Sequence, residues 1–160
     1  MSVAVYSSST GGTLMARSGA RRLLLCAGLL AAIQAATHTI LFLTAKPEVN
    51  PQSAPVVAAM RGEHFNVGML GSRTYWDFYF GYGLIAVILA FFVVAVIFVA
   101  ASCTDVVAQR RLILYTATAV AVHAAVIAIH FFVLPLGFDL VVLSALTVSW
   151  RQSRRLVERP

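Results

Sequence analysis

The apolar positions of this chain fall into four long runs, separated by short stretches that carry the charges, prolines and glycines. The first runs from Leu23 to Leu43 behind Arg17, Arg21 and Arg22. As a helix it would be about 31 Å long, roughly the thickness of a bilayer's hydrocarbon layer. A second run starts near Tyr75 and ends about Ala101, a third covers about Leu112 to Phe132, and a short one covers about Phe138 to Trp150. Runs of this length and polarity predict transmembrane helices. The expected fold class is therefore all-α, a polytopic membrane protein built as a four-transmembrane-helix bundle. The last helix, at about 20 Å, would have to thin the bilayer locally or use snorkelling arginines.

The intervening segments fill in the plan. Residues 1–16 are rich in Ser, Thr and Gly without an apolar period and read as a disordered tail. Residues 17–152 form the membrane domain, and 153–160 a basic tail. The first run is not a signal peptide, because it is too long, lacks a clean cleavage site and is followed by further spans. The loop 44–74 is punctuated by Pro47, Pro51, Pro55, Gly62, Gly68 and Gly71. Within it a short helix is expected between Ser53 and His64, with Ser53 as its cap and Pro55 in its first turn. Thr74 and Asp77 have the spacing of a capping box opening the second span. Tyr75, Trp76, Tyr79 and Tyr82 supply an aromatic belt for a water–lipid boundary. Pro135 and Gly137 predict a tight turn before the last span. Ala117, Ala121 and Ala125, spaced by four, would let neighbouring helices approach the third span closely.

Composition supports this reading. Of 160 residues, 60% are hydrophobic and 11% charged, with mean hydropathy +0.86. An ordinary soluble domain carries about 25% charged residues, so the apolar excess here must face lipid. A net charge of +6 would suit a nucleic-acid binder, but its placement argues for the bilayer as partner and against nucleic acid. The N-terminal segment, the 102–111 loop and the C-terminal tail carry three, two and four basic residues, against Lys46, Arg61 and Arg73 in the 44–74 loop. Nine against three on alternating sides predicts cytoplasmic termini and a cell (inner) membrane location. Cys26 and Cys103 lie near the same side and are expected to stay reduced. No metal-ligand spacing is present, nor a GxSxG, Walker A or HExxH motif, so neither an enzyme class nor a cofactor is specified.

Candidate chemistry rests on polar residues inside the spans, where each carries a desolvation cost and needs a partner. They are Gln34, Thr37, His38, Asp77, Thr116, His123, His130 and Asp139. Thr116, His123 and His130 recur every seven residues and are expected to face the bundle interior. The sharpest hypothesis places His38 and His130 across the bundle from each other, sharing a site with Asp77 or Asp139. The candidate ligand-binding set is His38, Arg73, Trp76, Asp77, His130 and Asp139. The plainer readings are that Asp77 caps its helix, that Asp139 caps the last one, and that His123 bonds Gln34 or a backbone carbonyl.

The stretch Arg73-Thr74-Tyr75-Trp76-Asp77-Phe78-Tyr79-Phe80-Gly81-Tyr82-Gly83 resembles an uncharacterised family of small bacterial membrane proteins. That family is marked by Arg-Ser/Thr-Tyr-Trp-Asp-Phe at the start of its second span. The Met60-Arg61 pair and His38 are similar too, and the likeness extends over about residues 20–152. The resemblance implies four spans and a bacterial source, and it draws attention to Arg73, Trp76 and Asp77 without implying an activity. Three functions are then expected as competitors. One is a bundle binding a small hydrophobic molecule or lipid in an outward-facing polar pocket. Another is a haem- or quinone-linked redox protein using paired histidines. The last is a structural or accessory subunit.

Overall fold

The structure, a computed structural model, describes residues 9–66, 68–131 and 133–157. Five α-helices are present among them: α1 (Ser9–Thr44), α2 (Ala54–Gly62), α3 (Tyr75–Ser102), α4 (Val106–His130) and α5 (Val133–Val157). A two-stranded antiparallel hairpin, β1 (His64–Asn66) with β2 (Ser72–Thr74), precedes α3. Four stretches are long and apolar enough to cross a membrane: Ser18–Thr44, Tyr75–Ser102, Val106–His130 and Val133–Arg154. The chain is an all-α, multi-pass membrane protein, as its hydropathy pattern predicts.

Four expected boundaries move: α4 begins at Val106, inside the expected 102–111 loop, α5 runs on to Val157, into the expected 153–160 tail, and two further starts shift. The first helix begins at Ser9, inside the stretch expected to be a tail. The last begins at Val133, not Phe138, and its apolar part of 22 residues is about 33 Å long, so no bilayer thinning is required. Pro135 and Gly137 therefore lie within α5 and not in a turn. Pro135 is the third helical residue, where the missing N–H would have had no intrahelical partner. The reversal falls earlier, where Phe131 takes an extended conformation (φ −131°, ψ −170°) and closes α4 through its N–H to the Ile127 carbonyl.

The chain divides into two compact units, one of residues up to Gln34 and from Phe92 onward, the other Ala35–Phe91. In the first unit four helices meet around one apolar core. Leu24 and Ala27 of α1, Ile97, Ala100 and Ala101 of α3, Ile113 and Val120 of α4, and Val142 and Leu146 of α5 are buried together. Since lipid is as apolar as leucine, close packing and polar contacts hold such a core, and its alanines permit close approach. Gln109, buried, donates from Nε2 to the Ala100 carbonyl at 2.8 Å, which serves one of the acceptors left open at the end of α3. Asp105 caps α4, accepting from the Val107 and Ala108 N–H groups at 2.8 and 3.3 Å. The fully buried Ser149 and Ser153 turn their hydroxyls back to the carbonyls of Ala145 and Ser149.

The second unit combines local devices with aromatic packing between its helices. Thr74 and Asp77 form the expected capping box, with Asp77 N–H donating to Thr74 Oγ1 and Thr74 N–H donating to Asp77 Oδ2, both at 3.0 Å. Ser53 sits at the start of α2 but does not cap it. Its hydroxyl donates instead to the Pro47 carbonyl. The hairpin, which the Pro/Gly pattern did not reveal, turns through Gly68 (φ 60°) and Gly71 (φ 85°), both in the left-handed region that favours glycine. Phe65 of β1 lies 5.1 Å from the Tyr75 ring and 5.5 Å from that of Phe78. On α3, Gly83 is where the Phe42 ring of α1 rests, so closely that a Cβ there would collide with it.

Candidate functional site

The densest intramembrane polar group lies in the first unit and involves three helices. Asp139 is the seventh residue of α5 and is 5% exposed. Its Oδ2 lies 2.8 Å from Nδ1 of His123 on α4, and its Oδ1 accepts from Gln34 Nε2 of α1 at 3.2 Å. The Gln34 amide also reaches the Pro135 carbonyl at 3.4 Å. An ionised carboxylate only accepts, so its contact with the imidazole fixes the tautomer with Nδ1–H donating. The carboxylate thereby gains partners from two helices, which a buried acid inside a membrane requires.

His123 itself is not enclosed. Its side chain is 58% exposed, against 6% for Asp139. The ring therefore joins the buried acid to the outer surface of the bundle. With Nδ1 spent on Asp139, Nε2 is the chemically available position: a lone pair on the neutral ring, an N–H on the charged one.

The partner of Asp139 is His123 and not the expected His130. His130 is exposed at the end of α4, two turns beyond His123, while the Asp139 carboxylate turns to His123. The cause is the position of the helix reversal. Phe131 lies midway between His123 and Asp139, so antiparallel packing of α4 and α5 sets those two side by side. A turn at Pro135–Gly137 would have paired Asp139 with residues nearer His130. Nor does Asp139 cap α5, since it lies well inside it. The seven-residue stripe also fails as a buried face: Thr116 is buried, but His123 and His130 are exposed. The buried face of α4 instead runs through Ile113, Thr116, Val120, Ala124 and Ile127, which leaves His123 one position to its side. Gln34 and His123 were visible as intramembrane polar residues, yet only the correct reversal would have assigned them to Asp139.

The remaining candidates lie in the second unit and do not form one cluster. His38 stacks on Phe42 with ring centroids 6.3 Å apart, and Phe42 in turn touches Tyr79 and Phe80. Trp76 lies beside Tyr79 and under the Arg61 guanidinium, 4.6 Å from the ring centroid. The Met60-Arg61 pair thus contacts the Arg73–Gly83 stretch through Trp76. Arg73 and Asp77 line a separate open hollow of about 390 Å³ with Phe78, Gly81, Tyr82 and Ile85. Among the described residues no three His, Cys, Asp or Glu side chains gather as a metal site would require. Comparison of the chain with protein-family models, curated proteins and solved structures gives no match in any of the three.

Proposed function

We propose that this chain is a ligand-binding membrane protein whose His123–Asp139–Gln34 group takes the polar head of a small lipophilic molecule arriving from the bilayer. One observation carries the reading: a buried carboxylate holds one nitrogen of an imidazole that is itself more than half exposed on the bundle surface. A purely structural pair would have no need to leave its histidine outward. The apolar surface around the ring, including Val122 and Val126 of α4, suits a hydrophobic tail. A quinone-type head is the favoured chemistry, because its oxygens can exchange hydrogen bonds and protons with a carboxylate-backed imidazole. The basic asymmetry supports cytoplasmic termini in a cell membrane. The likeness of the Arg73–Gly83 stretch supports a bacterial source.

A carboxylate behind an imidazole is also what orients histidines that ligate metals, and this favours haem as the second reading. Titration of the purified protein with a short-tailed benzoquinone, followed by tryptophan fluorescence, tests the first. Saturable quenching that weakens about tenfold in His123→Phe is expected, the equivalent of one lost hydrogen bond to the head group. Quenching that never saturates, or that is equal in a folded His123→Phe protein, overturns it. A Soret band after expression with ample haem would move the assignment to the second reading.

A further inference from the structure

The hollow at the head of α3 has a composition that the intramembrane group does not explain. Its walls hold one cation and one anion, Arg73 and Asp77, and below them only Phe78, Gly81, Tyr82 and Ile85. The two charges line the same space without closing on each other: the ion pairs among the described residues are Arg61–Glu48 and His123–Asp139. The Arg73 guanidinium spends one nitrogen on the neighbouring Ser72 carbonyl at 2.9 Å. Asp77 uses Oδ2 for the Thr74 N–H. Each therefore has donors or acceptors to offer, and the capping box fixes the carboxylate on the first turn of the helix.

The apolar part has a direction. Phe78, Tyr82 and Ile85 follow one another at three- and four-residue spacing along one side of α3. Gly81 leaves open space on the same side: apart from its chain neighbours and its own helix backbone, no atom lies within 4 Å of where its Cβ would be. The charged mouth lies at the end of a transmembrane helix ringed by Tyr75, Trp76, Tyr79 and Tyr82, the residues of a water–lipid boundary. A charged mouth at that boundary, leading to an apolar groove along a membrane-spanning helix, has the shape of a phospholipid.

We infer that this hollow is a binding site for a phospholipid with a primary-ammonium zwitterionic head, the phosphate on Arg73, the ammonium on Asp77 and one acyl chain along the Gly81 groove. Guanidinium and phosphate form strong charge-assisted hydrogen bonds, as do ammonium and carboxylate. A glycerol head brings its phosphate to Arg73 but has no cation of its own to offer the Asp77 carboxylate. A quaternary ammonium offers no N–H to that carboxylate. The site is independent of the proposal for His123, with which it shares no residue.

Native mass spectrometry of the delipidated, detergent-solubilised full chain, titrated in turn with dioleoyl phosphatidylethanolamine, phosphatidylcholine and phosphatidylglycerol, tests the inference. One adduct of the ethanolamine lipid should form about tenfold more tightly than the glycerol lipid, with the choline lipid between them. Asp77→Asn keeps an oxygen for the Thr74 N–H while removing the charge, and should abolish the ranking among the three lipids. Arg73→Gln should weaken all three, and Gly81→Val, which fills the groove, should remove the adduct whatever the head. Inorganic phosphate at the same concentrations should not compete. Equal affinity for the three lipids, tighter binding of the glycerol lipid, or a ranking that survives Asp77→Asn would overturn the inference. A loss of fold cannot imitate the expected result, because a changed order of lipids requires a protein that still binds them.

Discussion

The two aspartates Asp139 and Asp77, one in each unit, are held by opposite kinds of contact. Around Asp139 the partners come from far apart in sequence, 105 residues away for Gln34, and each bond crosses between helices. Around Asp77 the partners are three residues away, and the rings of Phe65, Tyr75, Phe78 and Tyr82 come from one hairpin and the first turns of one helix. The difference follows from the solvent. Helix backbones inside a bilayer satisfy themselves, so polar side chains there act between helices, and the cost of leaving one unpaired selects how the helices pack. At the boundary with water, turns and caps decide the structure locally, and aromatic rings anchor it.

This contrast can be broken most severely at His123. His123→Ala leaves the buried Asp139 with Gln34 alone and should cost about 2–3 kcal/mol, the range for a buried charged group stripped of a partner. Thermal unfolding of the purified protein measures the loss. Replacing Gln34, His123 and Asp139 together by apolar residues should restore most of the stability, because the desolvation cost leaves with the charge. If the single change is silent, the pair does not organise the bundle.

A comparison within one helix sharpens the account of the second unit. Gly83→Ala places a methyl group against the Phe42 ring and should destabilise by about 1–3 kcal/mol, as overpacking does. Gly81→Ala, two residues earlier and open on that side, should stabilise by up to about 1 kcal/mol through helix propensity. Melting shifts of the same sign for both would show that the Phe42 contact is not what constrains α3. The most local effect is expected from Thr74→Ala. It removes one of the two cap bonds at a cost of about 1 kcal/mol, confined to hydrogen exchange in the first turn of α3.

The same contrast explains what the amino-acid sequence revealed. Hydropathy located all four spans, and the Thr74–Asp77 spacing identified a cap whose two bonds are both formed. Local signals announce local structure. The His123–Asp139 pair was missed because its register depends on one loop, and Pro135 and Gly137 have two meanings. Proline is as much at home in a helix's first turn as in a reversal, and here the first turn prevails. The hairpin at His64–Thr74 was missed for a similar reason. Its strands are three residues each, too short for alternation to register, and only Gly68 and Gly71 marked it.

The brevity of the link between α4, which ends at His130, and α5, which begins at Val133, has a consequence for how the protein is made. Asp139, two turns into a span that begins at Val133, adds to the free energy of that helix entering the bilayer alone, by up to the about 2.5–3.5 kcal/mol that an aspartate costs at a helix centre. Two spans joined so tightly can enter as a helical hairpin, in which the acid of the second lies beside the imidazole of the first as it does in the folded protein. In that form the His123–Asp139 hydrogen bond would offset part of the cost of inserting the acid. A chain in which the hairpin is pulled apart by an inserted linker should accumulate with its last segment outside the membrane.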